Sequence, residues 1–321
     1  NTTASDNVAV GKHSLRVNTT GASNVAVGKD ALIANTTASS NTAVGYQTGL
    51  SNTTGTQNTF VGIEAGYTNQ AGSYNTYIGR RAGYTSNNSG NALNTCVGYS
   101  AGYSLTTGSQ NCFLGQSELN NGYGSGHFVT SGVKNTILGG YNGNQGGLDI
   151  RTANNNIVLS DGDGNPRLYI DNNGDVLIGK VSTSSTTEGM HIGTAKFTAT
   201  RNAGPCAAFV RTGSDGSVID IQNDSSTVGS ISVDGSATAF NTSSDYRLKE
   251  NVVYDWDATT RLKQLKPARF NFITNADKTV DGFLAHEAQA VVPEAVTGTK
   301  DEVDDGGAAV MQGIDQSKIV P

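Results

Sequence analysis

Along the first half of the chain an aliphatic residue followed by glycine recurs, each time three positions after an asparagine. Asn7, Asn24, Asn41, Asn58 and Asn75 lie seventeen residues apart and open NVAVG, NVAVG, NTAVG, NTFVG and NTYIG. The series continues at less regular spacing with NTCVG from Asn94, NCFLG from Asn111 and NTILG from Asn135. The fourth position is always aliphatic (Val10, Val27, Val44, Val61, Ile78, Val97, Leu114, Leu138) and the fifth is always glycine. Seven residues after the asparagine the regular copies carry a small side chain: Ser14, Ala31, Thr48, Ala65, Ala82 and Ala101. An aliphatic position and then a glycine predict one short strand and one tight turn per repeat. Seventeen residues are too few for a helix pair but enough for one coil of a β-solenoid with two short strands. One aliphatic row is a thin core, and a small coil buries little apolar surface alone. The pattern therefore predicts a homotrimer, with the aliphatic row lining its axis.

The pattern changes over residues 155–182, where Ile157, Val158 and Leu159, then Leu168, Tyr169 and Ile170, then Val176, Leu177 and Ile178 form strand cores. DGDGNP and DNNGD separate them as turns, which predicts a β-meander. Asp161, Asp163 and Asn165 are spaced like part of a calcium loop but lack the glycine at position six and the distant glutamate, so a hairpin turn is the better reading. Residues 183–243 are rich in Ser, Thr and Gly. Short strands are expected at 196–199, 207–210, 217–221 and 228–233, forming a β-rich shaft or tip intertwined between chains. Polar strands carry weak register information. Non-local pairing among three chains is slow and exposes strand edges, so such a fibre would need help to fold. Tyr67, Tyr84 and Tyr103 share one repeat phase with Ile33 and Leu50. A packing ladder between chains is the plainer reading of that stripe, and sugar stacking the alternative.

An abrupt shift follows at SSDYRLKEN, residues 243–251, after which charge becomes dense. Such a shift marks a domain boundary. Downstream lie LKPARF at 265–270, GFLAHEAQ at 282–289 and PEAV at 293–296. Asp257 can cap a short helix running through Leu262 and Leu265 that Pro267 ends, Phe270 and Phe272 alternate as on a strand, 283–285 reads as another strand and 287–292 as helical. Together these describe a compact α+β domain.

SSDYRLKEN, LKPARF and GFLAHEAQ with PEAV, in this order, resemble the intramolecular chaperone domain of phage tail fibres and tailspikes, the peptidase S74 family. His286 stands where that family usually has Gln. The N-x-x-V-G repeats resemble the head repeats of trimeric adhesins of the YadA type, and similar repeats occur in phage fibres. The expected organisation is mainly β. Homotrimeric β-solenoid repeats occupy 1–154, a β-meander 155–182 and a β-rich shaft or tip 183–243, and a small α+β chaperone and autoprotease domain fills 244–321. Asn1 falls inside the repeat pattern and the C-terminus at Pro321 looks cut, so the sequence reads as part of a longer protein, and the resemblance places a further trimeric helix after it.

The resemblance implies that this domain trimerises, aligns three chains and then cuts itself off. It assigns Ser244 as nucleophile and Lys249 as general base, with Asp245 orienting the site. A serine hydroxyl needs a base to take its proton. A lysine amine can serve if burial or a nearby cation favours its neutral form, and Arg247 is a candidate for that cation. Ser244 cannot attack its own carbonyl. It can attack that of Ser243 in an N-to-O acyl shift through a five-membered ring, and hydrolysis of the ester would part Ser243 from Ser244. A cut after Ser244 needs a group from elsewhere, such as a neighbouring protomer, so the cleavage site is placed within one residue of Ser244. Read without its downstream motifs, the segment merely caps a helix with Asp245.

Charge narrows the partners. The chain has 321 residues, a net charge of −6 and a pI near 5.2, which disfavours nucleic acid. No apolar run approaches the ~20 residues of a membrane helix, so no membrane insertion is expected. Cys96, Cys112 and Cys206 cannot all pair within one chain, show no metal spacing, and are expected to be small buried residues, as suits assembly in a reducing host cytoplasm. No cofactor and no metal are called for. The leading expectation is a virion tail fibre or tailspike whose partners are two further copies of itself, other tail proteins and a host cell-surface receptor, a glycan or an outer-membrane component. The alternative is a bacterial trimeric surface adhesin with a non-cleaving trimerisation domain. A glycan-cleaving tailspike needs paired carboxylates. The acids before residue 150 (Asp6, Asp30, Glu64, Glu118, Asp149) lie in scattered phases. Ice binding would need regular Thr arrays, and here the Thr positions shift and large tyrosines intervene.

Overall fold

In the computed structural model, which describes residues 3–116, 123–193 and 196–319, the chain divides into two compact units, Asn1–Val210 and Arg211–Pro321. Among the described residues the fold is mainly β, a solenoid of about nine turns with a small C-terminal domain. Each repeat contributes one short strand to the main sheet, and two coils carry the expected second strand, Ala71–Ser73 paired in parallel with Ser89–Asn91. Val8–Val10, Val25–Val27, Thr42–Val44, Thr59–Val61, Thr76–Ile78, Thr95–Val97, Cys112–Leu114, Thr136–Leu138 and Ile157–Ser160 stack in parallel. Away from these strands successive coils are joined by single backbone bonds, such as Leu32 N–H to Thr48 O at 3.0 Å and Gly49 N–H to Ala65 O at 2.9 Å.

Alternation along a strand decides what is core. The middle residue of each strand points inward, and Ala26, Ala43, Phe60, Tyr77, Cys96, Phe113, Ile137 and Val158 are wholly buried. The aliphatic row, expected to line the axis of a trimer, points outward from the coil: Val44, Ile78, Leu114 and Leu138 are each more than a third exposed. The coil therefore has its own core, completed by the small residues Ala31, Ala65, Ala82 and Ala101.

The asparagines that open the repeats are also buried. Asn58 Nδ2 donates to Asn41 Oδ1 at 3.1 Å and to Gly72 O at 2.9 Å, and Asn58 Oδ1 accepts from the Asn75 backbone N–H at 2.9 Å. Repeated coil after coil, this ladder satisfies backbone groups at a corner that cannot reach water. A second ladder runs through Asn18, Asn35, Asn52 and Asn69. The glycine after each strand is required twice over: Gly62 has φ +126°, and a Cβ there would lie 2.6 Å from the Gly79 carbonyl of the next coil.

Beyond the ninth rung the sheet continues antiparallel through Pro166–Ile170, Val176–Ile178, Gly189–Ile192 and Phe197–Thr200, making thirteen strands. The DGDGNP segment is a hairpin turn in which Asp161 Oδ1 accepts from Asn165 N–H at 2.8 Å. The tyrosine stripe is a ladder within one chain. Tyr67, Tyr84, Tyr103 and His127 stack at 4.9, 4.9 and 4.8 Å between ring centroids. Ring faces inside that stack are covered by other rings, which argues against sugar stacking there. Cys96 is buried, but Cys112 is only half-buried and Cys206 is exposed, so the expectation of three buried thiols holds for one of them; all three are free.

The C-terminal unit opens with an antiparallel three-stranded sheet, Gly216–Asn223, Ser226–Asp234 and Ala237–Thr242. The strand expected at 207–210 is irregular. Asp257 caps the helix Ala258–Lys263, accepting from Thr260 N–H at 3.0 Å. A hairpin follows, Ala268–Phe272 with Asn275–Gly282. The strand expected at 283–285 is instead the entry to the helix Ala285–Gln289. Val292, Ala295 and Ile319 form the small core, against which Leu265, Phe283, Val291 and Ile314 pack. Among the described residues no helix is long and apolar enough to cross a membrane.

Candidate functional site around Ser244 and Lys249

The strand Ala237–Thr242 carries the chain to the site. Its pairing extends one residue further, since the Ser243 N–H and Oγ both donate to Val228 O, at 3.1 and 3.2 Å. The backbone is thus held on the acyl side of the Ser243–Ser244 bond. On the other side Asp245 caps a single turn of 3-10 helix, Tyr246–Leu248, accepting from the Arg247 N–H at 2.8 Å. The same carboxylate takes a two-pronged ion pair from the Arg247 guanidinium at 2.9 and 2.8 Å. That bonding, the side-chain contact foremost, holds the Asp245 carboxyl below the usual range.

The turn folds Lys249 back, and its Nζ donates to Ser244 Oγ at 2.7 Å. Of the four residues singled out from the sequence, Ser244 and Lys249 are therefore in contact. Ser243 is anchored to the neighbouring strand, and Asp245 is turned to Arg247 rather than to either. Arg247, the cation expected to assist Lys249, is engaged by Asp245. All of these side chains are exposed in the single chain. The helix-capping reading of Asp245 and the Ser–Lys contact coexist: the cap makes the turn that brings the pair together. The sequence reading missed the anchoring of Ser243, whose signal is the alternation of ATAFNTS running up to the serine pair.

Residues 244–297 match the family Peptidase_S74, the chaperone of endosialidase. The C-terminal unit thus carries a chaperone-of-endosialidase domain that begins at the serine of the Ser–Lys contact. It takes in the turn, the capped helix, the hairpin and the motif segments GFLAHEAQ and PEAV. No curated protein and no solved structure is significantly similar to the chain. Within the chaperone domain Arg261 joins two motif segments, donating to Val291 O at 2.9 Å and to Glu294 at 2.8 Å. Beside it a groove of about 180 Å³ is lined by Trp256, Leu262, Leu265, Val292 and Ile319. His286 is exposed and its role is not defined by any contact.

Elsewhere, three of the scattered acids are engaged by basic side chains. Asp30 pairs with His13 at 2.9 Å, Glu64 with Arg81 at 2.6 Å and Asp149 with Arg151 at 2.7 Å, each a local ion pair, while Glu118 lies outside the described residues. Among the described residues no group of three or more His, Cys, Asp or Glu is placed to hold a metal ion.

Proposed function

We propose that this chain is the receptor-binding part of a phage tail fibre or tailspike whose segment 244–321 directs trimerisation and then releases itself by cleavage beside Ser244. The reading rests above all on the 2.7 Å contact between Lys249 Nζ and Ser244 Oγ at the start of a segment similar to the chaperone of endosialidase. A lysine acts as a general base only as the neutral amine, and burial favours that form. On this reading the pair becomes active when neighbouring chains cover it. The neutral Lys249 amine takes the Ser244 hydroxyl proton, and the oxygen attacks the Ser243 carbonyl carbon. The amide C–N bond breaks with protonation of the Ser244 nitrogen, leaving an ester. Water then hydrolyses the ester, giving a Ser243 carboxylate and regenerating the hydroxyl. Release makes assembly kinetically irreversible, because the separated strands no longer have their chaperone to refold with.

The receptor-binding region is 1–243, the protein acts in the virion, and assembly takes place in the host cytoplasm. Intact mass of the protein and of a Ser244→Ala variant tests the reading. Two fragments parted within one residue of Ser244 in the parent, and one full-length chain in the variant, are expected. Full-length chains from both, folded and trimeric, would remove the peptidase and leave a trimerisation domain on a fibre or adhesin.

A further inference from the structure

Charge is confined to one turn of the solenoid. Seven Lys, Arg, Asp or Glu side chains occur between Asn7 and Leu105, and six of them occupy the two positions after the strand glycine; the seventh, Arg16, follows in the first coil. Five are basic and two acidic, which gives +3 within a chain of net charge −6. The turn is built alike each time. The second residue after the glycine has a left-handed φ in all six coils, from +63° at His13 to +51° at Ser100. Its N–H donates to the carbonyl of the first residue one coil back, as Gln47 does to Lys29 at 2.9 Å and Arg81 to Ile63 at 2.8 Å. The first residues therefore form one row, spaced about 4.8 Å per coil: Lys12, Lys29, Tyr46, Ile63, Arg80 and Tyr99.

The two acids are engaged beside this row, Asp30 by His13 at 2.9 Å and Glu64 by Arg81 at 2.6 Å. Lys29 stands 3.9 Å from Asp30 and lies over the Tyr46 ring, 5.4 Å from its centroid. Arg80 lies over Tyr99 at 5.5 Å, and its Nη1 donates to the Tyr99 hydroxyl at 2.9 Å. A ring beneath a cation holds it in place without cancelling its charge. With one nitrogen on a neutral phenol, the Arg80 guanidinium keeps donors for an outside group. Ile63 is 46% exposed and stands between Tyr46 and Arg80 as an apolar ledge. Charge is costly to bury, so this row stays in solvent whichever face meets another chain.

We propose that the row binds a linear acidic polysaccharide laid along the solenoid, its carboxylates on Lys12, Lys29 and Arg80 and its sugar faces on Tyr46 and Ile63. The inference rests on the receptor-binding reading above and names the ligand class and the residues that take it. A polymer fits better than a small anion because the three cations are spread over about 19 Å. Each exposed cation contributes little by itself, and a polymer engages several at once. Duplex DNA, with one charge per ~1.7 Å, brings far more negative charge to an acidic chain than a row one cation wide can offset. A polysaccharide with a carboxylate on every sugar or every second sugar matches the sparser row.

The experiment is binding of the full protein to immobilised polygalacturonate, alginate and hyaluronan, beside neutral dextran and duplex DNA. Binding to at least one of the acidic polysaccharides is expected, falling steeply as salt is raised. Lys29→Gln with Arg80→Gln is expected to weaken it at least about tenfold, and Ile63→Glu to weaken it as much, by setting a carboxylate within the row. All three side chains are exposed, and an unchanged thermal unfolding midpoint checks that the coils are intact. Lys134→Gln with Lys196→Gln removes the same charge from exposed positions off the row and is expected to change binding less than about twofold. Gln57 and Gln110 already stand where Lys134 does, just before an opening asparagine, so that pair suits the coil. No binding to any of the three acidic polysaccharides, equal binding to dextran or DNA, or equal loss in the two Gln pairs would overturn the proposal. Intact mass of the same samples decides the cleavage reading separately. Uncut protein that binds through the row sinks the release step alone, and cut protein that binds none of the three sinks this inference alone.

Discussion

The two units solve the burial problem in opposite ways. In the N-terminal unit, coil supports coil: inward rows are wholly buried, buried asparagines satisfy one another, and Phe60 and Tyr77 stack at 5.5 Å. In the C-terminal unit the core is three residues, and large apolar side chains stand in solvent: Phe240, Tyr246, Tyr254, Ile273 and Met311 are all at least 80% exposed. A repeat array gains stability from each neighbouring coil. A small unit with so little core depends on other chains. The difference teaches that the N-terminal unit carries its core within one chain, whereas the C-terminal unit leaves much of its apolar surface unburied.

The largest way to break this comparison is at the Ser–Lys contact. Lys249→Ala removes the group proposed to take the serine proton, and the cleaved fraction, followed by intact mass, should fall at least about a thousandfold in rate. Next come changes inside the coil. Phe60→Ala should cost about 4 kcal/mol of N-terminal unit stability in urea unfolding, because it leaves a cavity beneath Tyr77. Gly62→Ala should cost about 3 kcal/mol, since φ is +126° and the next coil's carbonyl occupies the space. Asn58→Ala strands the Asn75 N–H and should cost about 2 kcal/mol. A Tyr254→Ser change in the C-terminal unit should alter single-chain stability by less than about 0.5 kcal/mol, because that ring is already in water.

Acid gives the finest effect. Burial lowers the His127 pKa below its ordinary 6.5. A group depressed on folding contributes stability that is complete above its unfolded value and is lost as pH falls through the folded one. Thermal unfolding of the N-terminal unit should therefore be constant above about pH 7 and weaken on acidification below about pH 6.5. A His127→Gln variant should flatten that slope.

Much of this was legible in the residues because some positions admit one chemistry. The opening asparagine and, in the first eight copies, the glycine after the strand recur at fixed places, so the solenoid and its phase could be read directly. The inner row could not, because its members range from Ala26 to Phe60 to Tyr77 to Cys96, and only their combined volume is constrained. Spacing put the tyrosines in one phase but said nothing of whether their faces meet within a chain or across chains. The second asparagine ladder was hidden because its members sit in segments that otherwise read as polar loop. At the site, SDYRLK gave the serine and lysine. The engagement of Asp245 with Arg247 depended on a single helical turn, which no periodicity announces.

The most direct test of the account is the dependence of cleavage on assembly. The fraction of chain cut beside Ser244 should be measured by intact mass over a dilution series of newly refolded protein, alongside the fraction trimeric. The account predicts that cleavage lags trimer formation and slows steeply on dilution, because the Ser–Lys pair is idle until neighbouring chains cover it. Cleavage at one rate across all concentrations, in chains that are still monomeric, would contradict it.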